Sequence, residues 1–285
     1  MDIEKFALQR ANYMLSLFEF NIRGFIFLSM QLRKLLLILF IFYGNTAFAS
    51  SEHGPELKNV NWSFDGVQGT FDRQSIQRGL KVYKEVCSAC HSLKRIAFRN
   101  LTDLGFTEEE VKAIAAGYNI QDGPNQEGEM FERPGRPSDY FPLIYPNEQA
   151  ARAVNNGAFP PDLSLMVKAR EGGADYIYSL LTGYQSVPPK GVKLGENMYY
   201  NPYFVNGSGQ IAMPPPITTD NQVEYTDGTI ATTAQMTKDV VNFLQWASEP
   251  EMEERKGLGI KVIIFTLVFT ILFYYAKKRI WRRVK

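Results

Sequence analysis

The chain has 285 residues, enough for one or two domains, and its 45% hydrophobic and 21% charged residues exclude an intrinsically disordered protein. The formal net charge of +1 hides a segregation: Ser50 to Arg255 holds 27 acidic and 18 basic residues, a net −9, while Lys256 to Lys285 holds eight basic residues and no acidic one. That sign argues against nucleic acid as a partner and favours a basic soluble one.

In chain order, Arg33 and Lys34 precede the apolar run Leu35 to Tyr43, and Ala47-Phe48-Ala49 supplies a small-x-small cleavage pattern. The apolar run is too short to span a bilayer. Residues 1–49 therefore read as a targeting segment, with Met30 as an alternative start and an uncleaved signal anchor as the competing reading. Asp72 is a good N-cap for a first helix, along which Phe71, Ile76, Leu80, Tyr83 and Val86 form an apolar stripe. That helix delivers the chain into Cys87-Ser88-Ala89-Cys90-His91. Thr107 with Glu110 makes a capping box for a short helix reaching Ala116, and Asn147 caps another through Val154. Asp175 opens a helix ended by Gly183, and Thr232 or Thr233 starts a long one with Met236, Val240, Phe243 and Leu244 on one face. Gly117 to Pro146 and Gln185 to Asp227 are rich in turn formers, and loops of that length usually wrap something or carry function.

Pro250 separates the long helix from Leu258 to Ala276, a 19-residue apolar stretch broken only by Lys261. A helix of that length spans about 28 Å, close to the hydrocarbon thickness of a bilayer. Lys261 is expected in its first turn, snorkelling outward to the headgroups. Lys277, Lys278, Arg279, Arg282, Arg283 and Lys285 follow, and the positive-inside tendency puts this tail in the cytoplasm. The expected organisation is a targeting segment over 1–49, an extracytoplasmic domain over 50–255, an anchor in membrane lipid over 256–276 and a basic tail over 277–285.

Cys-x-x-Cys-His is the spacing of covalent c-type haem attachment, and it uses both cysteines in the chain. Two thiols on one turn can each add across a haem vinyl group, and the histidine that follows lies on the iron side of the ring. A structural zinc site would need a second ligand pair, and a thioredoxin-like redox site would want a βαβ context. The expected fold class is thus mainly α: a c-type cytochrome haem domain with long loop insertions and one C-terminal transmembrane helix. A low-spin electron-transfer haem also needs a sixth ligand, commonly methionine. Met213 stands out because Pro214-Pro215-Pro216 holds it extended on a stiff loop. Met130, Met198 and His53 remain alternatives, whereas Met166 and Met236 read as core or helix residues.

CSACH on the RGLKVYKEV helix, NNGAFPPDLSLMVKAREGGADYIYSLLTGY, MYYNPYFVNGSGQIAMPPP and DGTIATTAQMTKDVVNFLQWASEPE together resemble the cytochrome c1 family, from about Val60 to the end. The resemblance implies thioethers at Cys87 and Cys90, His91 as proximal and Met213 as distal iron ligand, and Arg170 and Tyr176 near a haem propionate. Pro160 and Pro161 would line the haem face. It implies one covalent haem c, and an electron-transfer subunit of a quinol–cytochrome c reductase with no bond-making site of its own. The implied partners are cytochrome b, a Rieske iron–sulfur subunit and a soluble or tethered basic cytochrome c. The implied location is a bacterial-type inner membrane, with the haem domain on the periplasmic side. One departure is that Gln185-Ser186-Val187 stands where some relatives carry extra cysteines. A stand-alone tethered cytochrome and a haem enzyme or gas sensor are the rival readings.

Overall fold

The computed structural model describes residues 54–283, so the expected targeting segment over 1–49 and His53 lie outside the described residues. Among the described residues there are six α-helices: α1 (Arg73–Glu85), α2 (Glu108–Ala116), α3 (Glu148–Val154), α4 (Gly173–Leu181), α5 (Thr233–Ser248) and α6 (Met252–Trp281). Two short antiparallel hairpins, β1 (Asn119–Asp122) with β2 (Phe131–Pro134) and β3 (Tyr199–Tyr200) with β4 (Gln210–Ile211), sit within the two long turn-rich segments. The architecture is mainly α, as expected for a c-type cytochrome domain bearing one C-terminal transmembrane helix.

Local chemistry sets the helix starts. Side-chain oxygens of Asp72, Thr107, Asn147 and Thr232 accept from the backbone amides of Ser75, Glu110, Ala150 and Gln235, satisfying donors that the first turn cannot. The capping box of Thr107 and Glu110 closes in both directions. At α4 the expectation fails. The helix begins at Gly173, behind Gly172 at a φ of 80°, and not at Asp175. The Asp175 carboxylate is drawn elsewhere: it accepts from the Trp62 indole at 2.7 Å and the Val60 amide at 3.2 Å.

The core is centred on the crossing of α1 and α5. Ile76, Leu80, Val82 and Tyr83 of α1 and Met236, Val240, Val241, Phe243, Leu244 and Trp246 of α5 are all buried. Tyr83 and Phe243 meet at 5.7 Å between ring centroids, and Phe243 continues to Trp246 at 5.8 Å. A buried charge pair crosses the same seam. Asp239, fully buried, takes the Arg78 guanidinium at 2.9 Å and the Ser75 hydroxyl at 2.7 Å. Burial opposes charge on Arg78, but Asp239 and Asp227 outweigh it and raise its pKa. Breaking such a pair would leave an uncompensated buried charge.

α6 has 30 residues, or about 45 Å at the α-helical rise. Among the described residues it is the one helix long and apolar enough to cross a membrane. It starts earlier and ends later than the expected 256–276 span, which places Lys261 well inside the helix and not in its first turn. Pro250 marks a full break: α5 stops at Ser248 and the chain turns before Met252.

Gly79 explains how closely α1 and α5 approach. A Cβ built there would lie 2.7 Å from both the Asp239 carbonyl carbon and the Phe243 Cβ, and closer still to the Asp239 carbonyl oxygen. Gly79→Ala should therefore force the helices apart and destabilise the domain by about 1–3 kcal/mol, despite alanine's better helix propensity. Gly257→Ala in α6, where a Cβ would meet nothing within 4 Å, should not. Thermal unfolding of both variants in detergent checks this, and equal midpoints would refute the packing argument.

Candidate functional site

α1 ends at Glu85, and the chain tightens into a 3-10 turn over Cys87–Ala89. The amides of Cys90 and His91 both donate to the Cys87 carbonyl, at 3.1 and 3.0 Å. One turn thus presents two free thiols and an imidazole together. Burial, followed by the proximity of Cys90, pushes the Cys87 thiol up to about 12, so it stays a neutral thiol at physiological pH.

The orientation of His91 is strongly determined. Its backbone carbonyl accepts the Tyr83 hydroxyl at 3.0 Å, and its ring Nδ1 lies 2.8 Å from the Pro161 carbonyl oxygen. A carbonyl can only accept, so Nδ1 carries the proton. Burial lowers the His91 pKa, against the bond to Pro161 and the charge of Asp162. The ring is therefore neutral, and Nε2 keeps a free lone pair. That is the arrangement a metal-ligating imidazole uses, with the non-ligating nitrogen bonded to a carbonyl.

Further bonds hold Pro161 against the haem-motif segment. Leu163 donates to the Ser92 carbonyl at 2.9 Å, and the amides of Lys94 and Arg95 donate to the side chains of Asp162 and Ser164 at 2.9 and 3.1 Å. The Ser92 hydroxyl in turn accepts the Ile144 amide at 3.1 Å. Pro161 was expected to line a haem face. Its carbonyl orients His91, a role that a residue's letter does not reveal.

Met213 follows β4 and is half-buried, and its carbonyl accepts the Tyr184 hydroxyl at 3.0 Å. Asn201 supports the same loop. Fully buried, it donates to the Leu180 carbonyl at 2.6 Å, while its amide donates to the Gly209 carbonyl at 2.7 Å. Tyr184 and Asn201 therefore tie the Met213 loop to the end of α4, and neither had been singled out from sequence. Met236 is buried and Met166 packs against the core, as expected of core or helix residues, while the alternative Met130 is 58% exposed on the first hairpin. Met198 is half-buried.

Arg170 is exposed, and its guanidinium reaches the Ala169 carbonyl at 3.1 Å. Burial raises the pKa of the Tyr176 phenol, against the opposing charge of Arg170. Phe159 and Leu165, on either side of Pro161 in sequence, keep 48% and 42% of their surfaces exposed. Two thiols and an imidazole with a free Nε2 on one turn make a donor set that fits a covalently bound haem.

A sequence model described as the Cytochrome C1 family matches residues 62–284. The chain is 48% identical over 263 residues to a cytochrome b/c1 of Bradyrhizobium diazoefficiens, covering 85% of this chain but only 38% of that longer protein. It is 52% identical over 239 residues to "Cytochrome c1, heme protein, mitochondrial" of Saccharomyces cerevisiae, covering 84% of this chain and 76% of the relative. It is likewise 52% identical over 239 residues to the "Cytochrome b-c1 complex catalytic subunit, mitochondrial" of Candida albicans, covering 84% and 81%. With its attachment turn, its oriented imidazole and this extent of similarity, the chain belongs to the cytochrome c1 family.

Proposed function

We propose that the chain is the haem-bearing subunit of a cytochrome b–c1 complex, passing electrons from a Rieske iron–sulfur subunit to a basic cytochrome c. The cofactor is one covalently bound haem c. The observation that carries the reading is the His91 ring, fixed by the Pro161 carbonyl with Nε2 left free beside two free thiols. The relatives' names, which speak of heme and of a b–c1 complex, support the same assignment.

Haem c supplies reversible one-electron chemistry when bound. Cys87 and Cys90 tether it, His91 offers Nε2, and Met213 offers a thioether from a loop whose prolines leave little freedom to lose. Arg170 and Tyr176 would hold a propionate by donating to its carboxylate. The protein's work is to set potential, distance and docking. The net charge of −9 between Ser50 and Arg255 favours encounter with a lysine-rich cytochrome, more strongly at low salt. In this reading residues 1–49 export the chain, 50–255 form the domain on the periplasmic side of a bacterial-type inner membrane, 256–276 lie in the bilayer, and 277–285 face the cytoplasm.

Met213→Leu should leave the haem covalently attached, since Cys87, Cys90 and His91 are untouched, and should cost less than about 1.5 kcal/mol of packing. Loss of the thioether should lower the reduction potential and open the iron to carbon monoxide. An unchanged potential with continued exclusion of carbon monoxide would move the sixth ligand to Met198, Met130 or His53. Carbon monoxide binding by the unaltered protein would favour a gas-sensing or catalytic haem instead.

Orientation is tested with a reporter fused after Lys285. A reporter that works only in the cytoplasm should be active there, and activity of an export-dependent reporter at the same point would reverse the topology.

A further inference from the structure

We propose that Glu253 and Lys256, on the first turns of α6, together with Glu249 just before it, are positioning residues that clamp the haem domain onto its anchor and so fix the attitude of the haem over the membrane. Three groups of bonds meet at this base. The Glu253 carboxylate accepts the Phe71 amide at 2.6 Å and the Arg73 guanidinium at 2.7 Å. Lys256 donates to the carbonyls of Phe64 and Gly69 at 2.5 and 3.2 Å. Glu249 accepts Lys168 at 3.1 Å and also binds Arg255. Between them Met252 is buried, 2% exposed, so the junction is packed as well as bonded.

The destinations of these bonds distinguish a clamp from scattered surface pairs, which count for little one at a time. Phe71 and Arg73 sit at the start of α1, the helix that delivers Cys87 and Cys90. Lys168 ends the segment whose Pro161 carbonyl orients His91, and that segment is bonded to Ser92, Lys94 and Arg95. Phe64 and Gly69 belong to the strand of chain that also places Trp62 on Asp175 of α4. The stretches that deliver Cys87 and Cys90 and that orient His91 are therefore both tied to the base of α6. Burial pushes the Glu249 carboxyl up, yet the bonds from Arg255 and Lys168 outweigh it and keep its pKa low, so the group stays charged where the clamp must work. A relay between two partners gains from such a mount, because electron transfer depends on the distance and angle at which the cofactor is presented.

The inference rests on the reading of α6 as an anchor and of the domain as an electron relay. Its test does not use turnover, so either can fail without the other. Membranes carrying the complex are stacked in oriented layers, and the ferric haem signal is followed by electron paramagnetic resonance as the stack is rotated. The unaltered protein should show a sharp angular dependence. The double variant Glu253→Gln with Lys256→Met should lose it while keeping the haem's reduction potential, because the iron's ligands are untouched. Lys256→Arg, which can still donate to both carbonyls, should retain it. A double variant as sharply oriented as the parent would overturn the proposal, as would loss of orientation accompanied by a shifted potential. Should the double variant not accumulate, hydrogen exchange of the peptide containing Phe71 in the unaltered complex decides: slow exchange at the amide bonded to Glu253 is expected, and rapid exchange would overturn the clamp.

Discussion

The Nδ1–H of His91 points at the Pro161 carbonyl oxygen 2.8 Å away, and much of the domain serves to keep that carbonyl in place. A histidine directly after a Cys-x-x-Cys turn could rotate about two side-chain bonds, and either ring nitrogen could face outward. One hydrogen bond removes both freedoms, because the acceptor can take a proton but not give one. The bonds from Leu163, Lys94 and Arg95 hold the 161–164 segment against the haem-motif segment, so the acceptor cannot drift from its donor. Tyr83 then fixes the backbone of His91 from the other side. Pre-organisation of this kind lowers what binding would otherwise cost in side-chain entropy.

That arrangement is only as rigid as the helix that delivers it. α1 is pressed against α5 at Gly79 more closely than any residue with a Cβ would allow, and the pair Arg78–Asp239 crosses the same seam. The apolar contact supplies the bulk of the stabilisation. The buried charges specify register, since any slip would strand Asp239 among Ile76, Val240 and Phe243 without a partner. Both ends of α1 are therefore constrained: the start by Glu253 of α6, the end by the tight turn that carries the thiols.

How much of this could be read from the sequence depended on how local the cause was. The caps at Asp72, Thr107, Asn147 and Thr232 were legible because each side chain bonds an amide only three residues on. Asp175 has the same chemistry and was misread, because Trp62 and Val60, more than a hundred residues earlier, compete for its carboxylate. The hairpins within the long turn-rich segments were not legible either. β1 and β2 have four residues each, and neither Asn-Ile-Gln-Asp nor Phe-Glu-Arg-Pro alternates apolar with polar residues; Arg133 of β2 bonds Asp122 of β1 and Asp139 beyond the hairpin. At the site, Cys87, Cys90 and His91 announce themselves as a motif, and the resemblance to the cytochrome c1 family is upheld by the family match. The carbonyl of Pro161 and the amide of Asn201 do not, since a backbone group has no letter of its own and a lone asparagine reads as a loop residue.

We propose that His91, oriented by Pro161, and Met213 would together hold the iron of a covalently attached haem. Near-infrared magnetic circular dichroism of the oxidised protein in its membrane tests this most directly, because the charge-transfer band of low-spin ferric haem reports the identity of both axial ligands. The unaltered protein should show the histidine–methionine signature. A bis-histidine spectrum, or the high-spin spectrum of an iron open to water, would contradict it.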